Sequence, residues 1–140
     1  MEEIAVVQAT KNATEEDLRL LSNIVFMIKH TYGNGNIDEI LYYGSKFHQY
    51  IYDLSRNKTV NNILTQLNDH IHRYRRLVPE DNIDRVIEAG EEHEVILEYM
   101  KNKDAEGAKQ AMTNHIEKSI QAAVKRIQSN EFVLDENVEE

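Results

Sequence analysis

The scarcity of residues that interrupt helices constrains the fold of this chain more than any other feature of its sequence. Proline occurs once and glycine five times in 140 residues. Three of the glycines, Gly33, Gly35 and Gly107, lie near turns or helix starts inferred from the sequence. Because glycine and proline are the residues that most disfavour a helix interior, long helices can form without interruption. The sequence therefore predicts an all-α fold.

Apolar residues recur at three- and four-residue spacing, which is typical of amphipathic helices. Polar or glycine-rich turns at residues 33–36, 55–57 and 102–104 separate these stretches, and Pro79 pushes the residue before it out of the helical region. Thr14 and Asp104 are expected to cap the helices that follow them. We expect an antiparallel bundle of about six helices, at residues 2–11, 14–31, 37–54, 60–78, 83–101 and 105–129.

The two ends of the chain lead to separate expectations. The first predicted helix begins directly with an apolar-rich pattern and has no capping residue before it, so we expect it to be truncated and its natural start to lie upstream. Residues 130–140 are acidic and are expected to form a frayed tail. The domain is therefore predicted to span residues 1–129.

Charge and hydropathy exclude several classes of protein. The formal net charge is −9, from 25 acidic and 16 basic residues, and the small basic cluster of Arg73, Arg75 and Arg76 does not reverse that field. Such a chain should repel a phosphate backbone and should not bind DNA by itself. Neither a membrane-spanning apolar run nor a signal peptide is recognisable in the sequence, which favours a cytoplasmic location.

Histidine is the residue type that suggests a site. Cysteine is absent, which excludes thiolate ligands and leaves histidines and carboxylates as metal ligands. His48, His93 and His115 fall within the apolar stripes of three different predicted helices, and packing in one bundle would bring them together. Three imidazoles with an open position are a known arrangement for a divalent ion. The alternative is three independent buried histidines bonded to backbone or carboxylates.

The remaining polar candidates are interpreted as surface residues. Three histidines lie at a helix end or beside the stripe of the fourth helix, namely His30, His70 and His72. Glu91, Glu92 and Glu94 surround His93 on one turn and are predicted to form a solvated face. The pair Glu91 and Glu92 remains a possible source of a hydrogen-bond partner for a ligand.

Several short segments, taken in order, resemble the FadR C-terminal domain, the effector-binding part of one subgroup of GntR-type transcription regulators. The resemblance extends from Ala9 to about Ile127, and the order and spacing of the segments make it specific. The segments are Phe47-His48, Ser55-Arg56-Asn57, Glu92-His93-Glu94-Val95-Ile96-Leu97, Asp104-Ala105-Glu106-Gly107-Ala108 and Ala111-Met112-Thr113-Asn114-His115-Ile116.

The resemblance implies a helical bundle that encloses a cavity, with a small organic acid as effector and a metal ion at the cavity floor. In that family the ligands are three histidines, matched here by His48, His93 and His115, and an aspartate one turn before the first of them. Gly44 occupies the aspartate position in this chain. One negative charge is therefore missing, which should weaken metal binding and leave a position for water or an effector oxygen. The ion could be zinc, nickel or manganese.

An effector carboxylate needs a cationic partner, and arginine is suited to bidentate carboxylate recognition. At about 100° per residue, Arg75 lies on the flank of the apolar stripe of the fourth helix, whereas Arg73 and Arg76 point away from it. Arg75 is therefore the predicted effector-binding residue. The alternative is that all three arginines are solvated.

The sequence thus predicts an effector-sensing regulatory domain and not an enzyme. By resemblance, it should act as a homodimer and control DNA binding allosterically through an N-terminal helix-turn-helix domain that these 140 residues do not resemble. Two alternatives remain open. A metal-dependent enzyme would need a general acid or base on the same face as the histidines, and a purely structural dimerisation module would leave the three histidines without a role.

Overall fold

A computed structural model shows that the described residues form six α-helices and contain no strand. It describes the backbone of residues 1–33, 36–77 and 83–139, and their side chains except in 71–77, 83, 126–127 and 129–139. The all-α prediction is confirmed. The helices are α1 (Glu2–Asn12), α2 (Glu15–Tyr32), α3 (Ile37–Leu54), α4 (Lys58–Leu77), α5 (Ile83–Lys101) and α6 (Ala105–Glu139).

The predicted helix bounds agree with the structure to within two residues, apart from the end of α6. That helix was expected to end near residue 129 but continues to Glu139. The sequence between these points contains no glycine or proline, so nothing in its composition forces the helix to stop. The division into a domain of residues 1–129 and an acidic tail stays a prediction.

Side-chain caps determine where several helices begin. The Thr14 hydroxyl accepts a hydrogen bond from the backbone N–H of Asp17, whose carboxylate accepts the N–H of Thr14 in return. This reciprocal pair satisfies two N–H groups that a helix start leaves without intrahelical partners. Asp104 accepts the backbone N–H of Gly107 at 2.9 Å. Both predicted caps are confirmed.

The bundle is organised around α3, which packs against α1, α2, α4 and α5. Helix α6 packs against α1 and α5, so α1, α3, α5 and α6 surround a common interior. One main cluster of buried apolar side chains fills that interior. Its largest fully buried members are Tyr52, Phe47, Leu21, Ile51, Ile96, Met100, Met112 and Val6.

The end of α1 is tied to two neighbouring turns by side chains that reach backbone carbonyls. Asn12 donates to the carbonyl of Leu54 at 2.9 Å. Lys103, which has a positive φ of 57°, donates from Nζ to the carbonyls of Thr10 and Ala13. The lysine bonds satisfy carbonyls at the end of α1, the asparagine bond satisfies one at the end of α3, and together they hold α1 against its neighbours.

The periodic stripes largely face the interior, as expected. On α5 and α6 the buried positions include the histidines His93 and His115. On α4, Val60 and Leu64 are buried, whereas Leu67 is half exposed. The enclosed ligand cavity stays a prediction; two recesses of about 450 and 210 Å³ beside α1 and α6 are open to solvent. Among the described residues, no helix has the length and apolar character that crossing a membrane requires.

Candidate metal centre

Three helices bring His48, His93 and His115 to one point. His48 lies on α3, His93 on α5 and His115 on α6. Their Nε2 atoms form a nearly equilateral triangle, with separations of 3.1 Å from His48 to each of the others and 3.2 Å between His93 and His115. Within the described part of the chain, these three histidines form the one group whose ligand atoms lie close enough together to hold a metal ion.

The size of this triangle fits a shared metal ion. Zinc lies about 2.0–2.1 Å from a histidine nitrogen, so nitrogens on one ion are about 2.9 Å apart at octahedral angles and about 3.4 Å apart at tetrahedral angles. The observed separations of 3.1 and 3.2 Å fall between these limits. Nickel and manganese accept the same imidazole donors.

The three rings are held in place by packing. His93 and His115 are buried, and the side chain of His48 is 12% exposed. The ring of His93 stacks on Phe47 with centroids 4.7 Å apart, and the rings of His48 and His115 stack at 5.1 Å. Phe47 precedes His48 on α3, so one turn of helix supplies both a candidate ligand and the apolar surface behind another candidate ligand.

Glu92 determines which nitrogen of His115 carries the proton. The Oε1 atom of Glu92 lies 2.7 Å from Nδ1 of His115. An ionised carboxylate is only an acceptor, so the ring proton is on Nδ1 and Nε2 presents its lone pair to the triangle. This arrangement is the usual support for a metal-binding histidine.

Arg85 in turn holds Glu92. Its guanidinium donates from Nη1 to Oε2 of Glu92 at 3.0 Å and from Nη2 to Oε1 at 2.9 Å, which is a bidentate pair. Nη1 also donates to Glu88, and Nη2 donates to the hydroxyl of Ser119 on α6. Arg85 thus connects the start of α5 to α6 and orients the carboxylate behind His115.

The electrostatics of this pair favour a neutral His115 and an ionised Glu92. Burial alone would raise the pKa of Glu92, but the hydrogen bonds from His115 and Arg85 outweigh it and lower the pKa to about 2. Burial lowers the pKa of His115 and outweighs the opposing effect of Glu92. A neutral imidazole is the form that binds a metal ion.

The prediction that Glu91, Glu92 and Glu94 form a solvated face is wrong for Glu92. Its side chain is only 12% exposed, whereas Glu91 is exposed and Glu94 pairs with Lys29 at 2.5 Å. The alternative that the Glu91–Glu92 pair supplies a partner for a ligand is the one that matches the structure. Sequence reasoning missed Arg85, although its spacing of three and seven residues to Glu88 and Glu92 was a usable signal.

Gly44 lies beside His93. A Cβ atom placed on Gly44 would lie 3.6 Å from Cε1 of His93, which is ordinary van der Waals contact, and no closer contact is found. Position 44 therefore faces the histidine cluster, as the helical spacing to His48 predicts. A Cβ atom fits there without overlap and lies against the ring of His93.

A second carboxylate approaches the cluster from α1. Oε2 of Glu2 lies 3.6 Å from Nδ1 of His48, which is an ion-pair distance and longer than a hydrogen bond. Burial alone would raise the pKa of Glu2, but His48 and the hydroxyl of Tyr52 outweigh it and lower the pKa. Sequence reasoning missed Glu2, because nothing local indicates that the first turn of α1 reaches α3.

The other predicted residues lie apart from this centre or outside the described side chains. His30 and His70 are exposed, in agreement with their interpretation as surface residues. Arg75 lies on α4, but its side chain and that of His72 are outside the described residues. The effector role of Arg75 therefore stays a prediction.

Comparison with known proteins places this architecture in a family. The model of the FCD domain family matches residues 1–118. A curated protein of Bacillus subtilis (strain 168), described as an uncharacterized HTH-type transcriptional regulator, YdhC, is 33% identical over 116 residues. That match covers 82% of this chain and 51% of the relative, so the chain spans about half the length of that relative.

Two solved structures share the fold. The structure titled E. coli McbR/YncC has a TM-score of 0.75 and 21% identity, covering 89% of this chain and 63% of that one. A structure titled Streptococcus agalactiae GntR has a TM-score of 0.75 and 22% identity, covering 87% of this chain and 54% of that one. The match to the family model extends from α1 through all three histidines. The chain therefore belongs to the FCD domain family.

Proposed function

We propose that this chain is the effector-sensing, metal-binding regulatory domain of a transcription regulator. Membership of the FCD domain family and a relative described as a transcriptional regulator support the regulatory role. The observation that carries the metal-binding role is the triangle of Nε2 atoms 3.1–3.2 Å apart. The contact of Glu92 with Nδ1 of His115 leaves the Nε2 lone pair of that ring free, and a cation at the centre of the triangle would accept one lone pair from each of the three rings.

In this proposal, His48, His93 and His115 hold one divalent ion, which is zinc, nickel or manganese. All three imidazoles bind in the neutral form, so they leave the positive charge of the ion uncompensated. The absence of a carboxylate at position 44 adds to this imbalance. When bound, the ion would supply a strong positive field to any acidic group that reaches it.

The space beside Gly44 is the proposed site for an oxygen of the effector. A small organic acid suits this position, because its carboxylate would supply the negative charge that an aspartate there would have carried. Arg85 is not available to bind that acid, since its guanidinium is engaged with Glu92 and Ser119. Arg75 on α4 remains the proposed arginine for the other end of the effector.

The surroundings of the site favour sensing over catalysis. Of the two described carboxylates nearest the histidines, Glu92 binds His115 and Arg85, and Glu2 accepts a hydrogen bond from Tyr52 with one oxygen and faces Nδ1 of His48, not Nε2, with the other. A hydrolytic metal site needs a carboxylate or histidine free to move a proton. We propose that ligand binding instead shifts the bundle between two arrangements in a homodimer, and that an N-terminal helix-turn-helix domain of the full regulator contacts DNA.

Thermal unfolding of the zinc-loaded chain tests the effector proposal. A ligand at 100 times its Kd stabilises the folded state by about 2.7 kcal/mol, so at least one member of a panel of dicarboxylates, tricarboxylates and sugar acids should raise the Tm. Arg75→Ala should remove most of that shift. Arg19→Ala is the matched control, because Arg19 is an exposed arginine paired with Glu16 on α2. The effector proposal fails if no acid in the panel raises the Tm.

A further inference from the structure

Glu2 links the first turn of α1 to the histidine cluster. Its Oε2 atom faces Nδ1 of His48 at 3.6 Å, and its Oε1 atom accepts a hydrogen bond from the hydroxyl of Tyr52. The side chains of Glu2 and His48 are 18% and 12% exposed, so this contact is largely shielded from water. Tyr52 and His48 lie one turn apart on α3, and together they form a receptor for one carboxylate from α1.

The two facing atoms are both unsatisfied. Oε2 of Glu2 and Nδ1 of His48 are buried and have no hydrogen-bond partner. A buried polar atom that has lost water and gained no partner destabilises the folded state. A proton on Nδ1, together with a small approach of the two side chains, would satisfy both atoms at once.

The position of the proton on His48 depends on what its other nitrogen faces. Nε2 of His48 lies 3.1 Å from the Nε2 atoms of both His93 and His115. If Nε2 carries the proton, it can donate to one of those nitrogens, and a bare Nδ1 lone pair then faces the carboxylate of Glu2. If Nε2 presents its lone pair to a metal ion, the ring proton must be on Nδ1, where it can be donated to Glu2.

We propose that Glu2 is a positioning residue for the metal ligand His48, and that metal occupancy is thereby coupled to the docking of the first turn of α1. This inference rests on the proposed metal site. The coupling is reciprocal, so the factor by which Glu2 strengthens metal binding equals the factor by which the metal strengthens the docking of that turn.

The placement of α1 confines this effect to its first turn. Ala5, Val6, Ala9 and Thr10 are fully or almost fully buried against the core, and Asn12 is anchored to α3. Before Ala5, Met1 and Ile4 are about half exposed. Glu2 is therefore the residue that would couple metal occupancy to the docking of the first turn of α1.

Zinc titration of the full chain tests the metal half of this coupling. Removing a hydrogen-bond partner of a metal ligand typically costs 10-fold to 100-fold in affinity, so Glu2→Gln should weaken zinc binding about 10-fold. Glu3→Gln removes the same charge from the neighbouring position and should leave the affinity within about twofold. Tyr52→Phe, which keeps the buried ring and loses only the hydroxyl that holds Glu2, should weaken zinc binding in the same direction.

Hydrogen exchange of the first hydrogen-bonded amide of α1, that of Ala5, which donates to the carbonyl of Met1, tests the other half. Zinc should slow exchange there in the wild type and in Glu3→Gln, by about the factor that Glu2→Gln costs in affinity, and should have no such effect in Glu2→Gln. The coupling is wrong, and the metal site stands, if wild type and Glu2→Gln bind zinc equally well and zinc does not change the exchange rate at the start of α1. If wild type binds no zinc, both fail.

Discussion

Nδ1 of His115 donates to Oε1 of Glu92 across 2.7 Å, from α6 to α5. The same carboxylate receives both terminal nitrogens of Arg85. One carboxylate therefore joins a histidine of the cluster to a guanidinium that contacts both helices. This chain of contacts gives the metal-free domain an ordered site and makes its stability depend on the charge of Glu92.

The stability of the metal-free chain should fall in acid partly through Glu92. Its pKa is lowered from an ordinary value of 4.5 to about 2 in the folded chain. The stabilisation is therefore fully present above about pH 4.5 and is lost as the pH falls toward about 2, because the unfolded chain binds the proton more readily. Thermal unfolding in the presence of a chelator, measured from pH 6 to pH 2, should show a smaller loss of Tm in Glu92→Gln than in wild type.

Glu91→Gln is the matched control for that experiment. Glu91 is exposed on the same turn of α5, so this variant should keep the full acid dependence of the wild type. Equal losses of Tm in wild type and Glu92→Gln would show that the carboxylate does not stabilise the fold through His115 and Arg85.

Gly44→Asp should tighten metal binding. The position accepts a Cβ atom without overlap, with the nearest atom 3.6 Å away, and a carboxylate there would add a negative charge and a ligand oxygen beside His93. We expect the Kd for zinc to fall by about 10-fold or more. Gly44→Asn has nearly the same size without the charge and should give a much smaller gain. Weaker binding in Gly44→Asp than in Gly44→Asn would contradict the placement of this residue.

Gly90→Ala should destabilise the fold, and Gly44→Ala should not. A Cβ at Gly90 would overlap the Tyr32 hydroxyl and lie 3.1 Å from Cγ2 of Ile28, so the Tyr32 ring would have to move and would lose its hydrogen bond to the carbonyl of Ile87. Overpacking of this kind costs about 1–3 kcal/mol of unfolding free energy. At Gly44 the added methyl meets only ordinary contact, and its helix propensity should stabilise the metal-free chain by up to about 1 kcal/mol. Urea unfolding measures the free energy of unfolding of both variants. Equal changes in Gly90→Ala and Gly44→Ala would contradict the packing described for these two positions.

The local pattern of the sequence predicted the helices and which histidines lie inside. Helical periodicity determines which face of a helix is buried, so His93 and His115 could be assigned to the interior from their positions alone. Turn residues and caps such as Thr14 and Asp104 located the helix starts. Periodicity could not locate the end of α6, because no glycine or proline marks it.

The contacts that support the histidines were not predictable in the same way. Arg85 and Glu92 lie on one helix and could have been paired by their spacing, but the contact of Glu92 with His115 depends on how α5 packs against α6. Glu2 contacts His48 only because α1 packs against α3 in the folded chain. A single sequence carries no signal for contacts between residues so far apart along the chain.

Metal titration of the wild-type chain beside single histidine variants tests the central claim most directly. We predict one divalent ion per chain, a higher Tm in its presence, and a loss of affinity of about 100-fold or more in His48→Ala, His93→Ala and His115→Ala, since each variant loses a bond and the chelate geometry. The exposed histidines supply the controls, and His30→Ala and His70→Ala should bind like wild type. A wild-type chain whose stability is unchanged by zinc, nickel and manganese, and which retains none of them, would contradict the account.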